Sequence, residues 1–204
     1  VGFAARSRRS IHCVEEQRRS VLQAVEQIVP CDDVEARHKA DAIAWINSGA
    51  QLYRIAKPAT PPKHLVTYFV LVDTEHESIL LVDHLKAQKW LPTGGHVEPN
   101  EDPIATVKRE VVEELGVPAK FLPAFGENPL FLTSATTVGL TAGHTDITLW
   151  YVLAGSKDDE FSYDSNEFRT IRWFTFADIL GMDESTIDPR MRQFVRKLIR
   201  YSVT

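Results

Sequence analysis

Cysteine is scarce in this 204-residue chain, with Cys13 and Cys31 the only two. If residues 11–29 form one helix, the two thiols lie about 27 Å apart. A disulfide needs Cα atoms within about 7 Å, so no disulfide framework is expected. Long apolar runs are also missing: nothing approaches the ~18 uninterrupted apolar residues of a membrane-spanning helix. Arg6, Arg8 and Arg9 are not followed by the apolar core of a signal peptide. Together with the few cysteines, this sets the expectation of a cytoplasmic protein. Positive charge is not in excess either; the net charge of −5 speaks against a surface that coats nucleic acid. There are no internal repeats and no low-complexity stretch. What is present, 44% apolar and 25% charged residues, is the balance of a soluble globular protein. The length allows one ordinary domain plus an extension.

That extension reads as helical. Ile11, Val14, Val21, Leu22, Val25, Ile28 and Val29 recur at helical spacing, interrupted at Arg18, and Pro30 ends the run. Asp32 followed by Glu35 has the form of a capping box for a second helix carrying Val34, Ala42, Ile43, Trp45 and Ile46, closed by Asn47, Ser48 and Gly49. Residues 1–56 are therefore expected to be a helical hairpin in front of a main domain of residues 57–204. The first twenty residues hold five Arg against two Glu, but residues 1–50 balance at seven basic and seven acidic. A nucleic-acid contact is accordingly not expected. The hairpin packs against the main domain or, in a homodimer, against a second subunit.

Pro58, Pro61 and Pro62 read as a stiff linker. Strand-like runs follow at residues 64–73, 78–85, 90–95, 121–133, 145–153 and 168–176, with a hairpin turn at 74–77. A last helix begins at Asp188-Pro189 and carries Met191, Phe194, Val195, Leu198 and Ile199 on one face. Strands before a helix, more strands and a closing helix amount to a mixed sheet between helices, an α/β class.

The chemistry concentrates between residues 95 and 117, which read GHVEPNEDPIATVKREVVEELGV. Asp102 before Pro103 is a helix start, because an acceptor side chain precedes a residue whose φ is already helical. Gly116 is a natural stop. Ile104, Val107, Val111 and Leu115 form one apolar stripe, and Glu110, Glu113 and Glu114 gather on a neighbouring one. Like charges so close disfavour each other by some tenths of a kcal/mol per pair. A hard divalent cation is the obvious compensating charge, since Mg²⁺ is typically held by a few carboxylates with substrate phosphates and water. The paired glycines Gly94 and Gly95 allow close approaches that a side chain blocks.

The spacing G-x5-E-x7-R-E-U-x-E-E-x-G-U, with U a bulky aliphatic, resembles the Nudix box. All nine defined positions match, and seven of them are fixed identities, a chance coincidence of about one in a billion at a given start. The resemblance implies an α/β/α sandwich and hydrolysis of a nucleoside diphosphate linked to another group, a nucleoside triphosphate or related compound, with Mg²⁺ or Mn²⁺ as cofactor. It further implies that Glu113, Glu114 and the carbonyl of Gly94 are metal ligands and that Glu110 is a ligand or the general base. Arg109 would orient Glu110, and Glu101 would support the metal shell.

Outside the box, Glu167 stands where many members of that family place one more acid facing the metals. Asp146 begins a strand and is read as a candidate to face the cleft together with His144. His96 lies in the box loop with two readings open, substrate contact or structure. The LPTGGHVE segment and the chain's size are closer to the MutT-like nucleoside triphosphate group than to other branches. The alternative is a non-catalytic, nucleotide-sensing module whose N-terminal hairpin binds a partner or nucleic acid. Such modules commonly lose box carboxylates, and none is lost here.

Overall fold

The computed structural model describes residues 2–57, 59–99, 101–137 and 143–202. Pro58 of the expected linker lies outside them, as do the side chains of the first thirteen residues, Cys13 among them. The two N-terminal helices are α1 (Gly2–Gln27) and α2 (Asp33–Asn47). The first begins earlier than its apolar stripe, through an Ala- and Arg-rich stretch that contains no helix breaker. Asp32 caps α2 by accepting from the N–H groups of Val34 and Glu35, both at 2.9 Å. The capping box does not close on Asp32, however. Glu35 instead accepts from the Cys31 N–H at 2.8 Å and from Lys197 Nζ at 2.6 Å. Arg18, which interrupts the apolar stripe, donates to the carbonyls of Ile46 and Ala50 and so closes the end of α2.

The sheet is built around β1 (Lys63–Asp73). On one side β6 (Thr145–Ala154) runs parallel to it, and β5 (Phe131–Thr136) pairs antiparallel with β6. On the other side β4 (Thr93–His96) covers the first half of β1, and β2 (Ser78–His84) takes over at Val72 and Asp73. Strands β3 (Lys89–Leu91) and β7 (Phe168–Thr175) pair with β2. The near-continuous apolar sequence of β1 follows from burial on both faces. Leu65, Phe69 and Leu71 share a core with Val21, Val25, Ile28, Ala42 and Ile46 of the N-terminal helices and with α3 (Pro103–Leu115). Val70 and Val72 face the other way, onto α4 (Phe176–Gly181) and α5 (Met191–Ser202). The result is an α/β/α sandwich with a mixed sheet, and the N-terminal hairpin packs into the main core rather than standing apart.

Three expected strands are redrawn. The run 121–133 is strand only from Phe131, with Phe121 making a single bridge to Leu153. Pro123, Pro129 and Gly126 at φ +57 place turns between them. The run 90–95 splits at Pro92, where the chain leaves β2 and joins β1. The run 168–176 stops at Thr175, which forms a capping box with Asp178 and opens α4, a helix with too few residues to show a period. The final helix starts at Met191, after a turn in which Asp188 accepts from the Arg190 N–H at 2.7 Å.

Lys197 and Glu35 form an ion pair with 1% and 0% of their side chains exposed. The pair ties α2 to α5, and Glu35 also accepts from the Leu132 N–H of β5 at 3.3 Å.

Candidate active site

Helix α3 positions the acidic groups. Asp102 caps it by accepting from the Ile104 N–H at 2.8 Å, and Gly116 ends it in left-handed conformation at φ 70. Val107, Val111 and Leu115 are fully buried beneath the sheet. The next stripe round the helix turns Glu110 and Glu114 toward β4, while Glu113 points outward with 58% of its side chain exposed.

The glycines of β4 receive those carboxylates. Gly94 donates its N–H to Glu114 Oε2 at 2.9 Å. Gly95 lies directly under Glu110: a Cβ there would fall 2.1 Å from Glu110 Oε1. Gly94 has φ +150, and a Cβ on it would fall 2.1 Å from the carbonyl oxygen of Thr67. Position 94 therefore excludes a side chain, because backbone blocks it, whereas a side chain at 95 would have to displace the Glu110 carboxylate.

Arg109 gathers the remaining charges. Its Nε and Nη2 donate to the two oxygens of Glu101 at 2.8 and 2.9 Å, and its Nη1 donates to Glu110 Oε1 at 2.7 Å and Glu113 Oε2 at 3.1 Å. This fork holds the Glu101 carboxyl below the usual range, and Thr106 Oγ1 adds a further hydrogen bond. Burial pushes the Glu110 carboxyl upward against the opposing pull of Arg109. Burial also drives Glu114 up to about 9, with the neighbouring charge of Glu110 the second cause. Two crowded carboxylates without enough positive charge, beside the paired glycines of β4, make a hard oxygen donor set that suits Mg²⁺ or Mn²⁺.

These residues border a cleft of about 320 Å³. Glu167 lies on its rim, with its Oε1 3.7 Å from His84 Nε2. His96 and Asp146 line the same cleft, and His144 comes within 3.4 Å of Asp146. Of the sequence-derived candidates, Gly94, His96, Glu110, Glu114, Asp146 and Glu167 line the cleft, whereas Glu101, Arg109, Glu113 and His144 do not. Three residues were not anticipated. Arg54, from the N-terminal segment, reaches the cleft and lies 3.1 Å from His96 Nε2. Burial, with Arg54 as second cause, lowers His96 to about 4. His84 lines the cleft, and His64 is fully buried beside Asp146. No local motif marks these three; only the alternation His64, Val66, Tyr68 on one face of β1 hints at the first.

Comparison with known proteins bears on the family and the fold. Residues 62–198 match the NUDIX domain family model. The asymmetrical bis(5'-nucleosyl)-tetraphosphatase of Sus scrofa is 31% identical over 114 residues, which is 55% of this chain and 69% of that protein. Among solved structures, a NUDIX-family hydrolase from Clostridium perfringens is 25% identical with a TM-score of 0.50, covering 67% of this chain and 97% of that one. A MutT protein from Methanosarcina mazei Go1 aligns at a TM-score of 0.51 and 24% identity over 70% of this chain and 97% of its own, a likeness of fold alone.

Proposed function

The chain belongs to the NUDIX family, as its domain match over residues 62–198 shows, and we propose that it is a divalent-metal-dependent pyrophosphohydrolase. Its substrate is a nucleoside diphosphate linked to another group, a nucleoside triphosphate or nucleoside polyphosphate, cleaved by water attack on the pyrophosphate. The observation that carries this reading is the half-buried pair Glu110 and Glu114, seated against Gly94 and Gly95 of β4 and lining one cleft.

The anionic oxygens of a pyrophosphate repel a nucleophile, so the site must neutralise charge, orient a water and accept its proton. Glu110, Glu113, Glu114 and the carbonyl of Gly94 would hold the divalent cation, which would neutralise phosphate charge and acidify water. Glu110 is raised toward the working range by burial and is placed to accept the proton. Arg109 fixes the direction of that carboxylate through the 2.7 Å contact, with Glu101 anchoring the guanidinium from behind. Glu167 faces the same cleft from the rim and adds a further acid to the donor set.

The test is a release assay on nucleoside triphosphates, ADP-ribose and dinucleoside tetraphosphates, with Mg²⁺ and with Mn²⁺. The tetraphosphates are included because the Sus scrofa relative is named for them. E110Q is expected to lower turnover by at least about 100-fold on the best substrate, with the fold intact. Retained turnover refutes the assignment of Glu110. Tight binding of one compound with turnover of none favours the nucleotide-sensing alternative.

A further inference from the structure

Four side chains that stand apart in sequence meet at one end of the cleft: His64, His96, His144 and Asp146, whose donor atoms all lie within 4.8 Å of one another. The sheet brings them together. His64 on β1 is the register partner of Asp146 on the parallel strand β6, and His96 pairs opposite Val66 on β4. The His64 and His144 rings stack at 5.1 Å, and His96 lies 4.9 Å from His64.

The hydrogen bonds around the rings decide what they offer. His64 Nδ1 lies 2.9 Å from the Pro61 carbonyl oxygen, which can only accept, so Nδ1 carries a hydrogen and in the neutral ring Nε2 presents its lone pair. His144 Nδ1 lies 3.0 Å from Thr137 Oγ1, whose hydroxyl donates to the His144 carbonyl at 3.2 Å. In the tautomer where that hydroxyl accepts from Nδ1–H, the lone pair of the neutral His144 is also on Nε2. Both Nε2 atoms point at the same carboxylate oxygen: Asp146 Oδ1 is 3.2 Å from His64 and 3.4 Å from His144. Among the described residues, His64 Nε2 and Asp146 Oδ1 are buried atoms with no well-aligned hydrogen bond despite their 3.2 Å approach, and His64 is 0% exposed.

In the neutral rings these lone pairs face one carboxylate oxygen, and the repulsion is relieved either by a proton, as in a His64–Asp146 ion pair, or by a metal cation held between them. An outer hydrogen bond that fixes the tautomer and leaves the second nitrogen free is the arrangement found behind metal-bound histidines. A tetrahedral ion with bonds near 2.0–2.1 Å needs donor atoms about 3.3 Å apart. Two of the distances here already meet that, and the other donor atoms lie within 4.8 Å of one another. We propose that His64, His96, His144 and Asp146 bind a first-row transition-metal ion of the Zn²⁺ class, at a site separate from the glutamates of α3. Three imidazoles and one carboxylate favour Zn²⁺, Co²⁺ or Ni²⁺ over Mg²⁺, which prefers oxygen. His96 follows Gly95, so the two donor sets sit side by side along β4 and open on one cleft. Arg54 occupies His96 Nε2 at 3.1 Å; on metal uptake it swings into the cleft, or His96 binds through Nδ1.

The full chain, stripped with a chelator, is titrated with Zn²⁺ by calorimetry in excess Mg²⁺ and with Co²⁺ by visible absorption. The wild-type protein is expected to take up one equivalent of Zn²⁺ that Mg²⁺ does not displace, and to give the intense d–d bands of tetrahedral Co²⁺. H144A and the isosteric D146N are each expected to weaken Zn²⁺ binding by at least about 100-fold, because even an outer partner of a ligand is worth roughly 10- to 100-fold. E114Q is expected to retain it. Absence of Zn²⁺ uptake by the wild type, uptake that survives H144A and D146N, or loss of uptake in E114Q each overturns the proposal. The Zn²⁺ readout needs no turnover, so its failure is distinct from failure of the hydrolase reading.

Discussion

Replacing Gly95 by alanine places a Cβ 2.1 Å from Glu110 Oε1 and 2.4 Å from its Cδ. Ordinary contact begins at 3.4 Å, so the carboxylate must retreat by about 1 Å, and a 1 Å misplacement of a reacting group costs about 100-fold in rate. The obstructing atoms are the far end of a flexible side chain, and Gly95 is not among the glycines with positive φ. The backbone can therefore accept G95A, and the change is spent on the Arg109–Glu110 contact instead of on the fold. Gly94 is the control. There a Cβ meets the Thr67 carbonyl at 2.1 Å and the Tyr68 Cα at 2.8 Å, at φ +150, so G94A is expected to destabilise by about 3 kcal/mol. For a chain of this size that lowers the melting temperature by on the order of 10 °C. We predict that G95A loses about 100-fold in kcat with its melting temperature nearly unchanged, measured by calorimetry and by nucleotide release. A G95A protein with wild-type kcat, or one that melts as early as G94A, refutes the reasoning.

The buried Lys197–Glu35 pair gives a second test: K197M or E35Q alone strands a buried charge or leaves its partner unsatisfied, and each is expected to cost about 3–5 kcal/mol in denaturant unfolding. The double replacement by apolar residues is expected to recover much of that loss; full additivity would contradict the pairing. The proton on Glu114 sets a pH dependence. Its folded-state value of about 9 lies above the ordinary carboxyl value of 4.5, so the metal-free folded form holds a proton that the unfolded chain has released. Stability of that form should therefore fall as pH rises through this window. Mg²⁺ must displace the same proton, so its affinity should rise by up to about tenfold per pH unit toward 9, and E114Q should abolish both slopes. A flat affinity between pH 6 and 8.5, read by isothermal titration, contradicts this. Finally, T175A removes the capping box of α4 and is expected to cost about 1 kcal/mol, with no effect on Mg²⁺ affinity.

The acidic helix was legible because everything that defines it is local. Asp102, Pro103 and Gly116 set its ends, and the spacing of Val107, Val111 and Leu115 sets which side is buried. The remaining stripe could then only carry Glu110, Glu113 and Glu114. Boundaries failed where a local pattern competed with pairing. Residues 90–95 look like one strand, but Pro92 sits where the chain changes partner from β2 to β1. Glu35 looks like half of a capping box, but Lys197, far along the chain and equally buried, draws its carboxylate away. The outward turn of Glu113, compared with Glu110 and Glu114, depends on where β4 crosses the helix.

The amino-acid order alone determined the helix of the box, its two caps, the apolar runs of the sheet and the family resemblance, since each rests on contacts between residues a few positions apart. Tertiary structure decided that the N-terminal hairpin enters the main core, that Arg54 reaches the cleft, and that three scattered histidines surround Asp146. Those outcomes follow from the parallel register of β1 with β6 and the crossing of β4. Strand pairing across some eighty residues leaves no periodic trace in the chain.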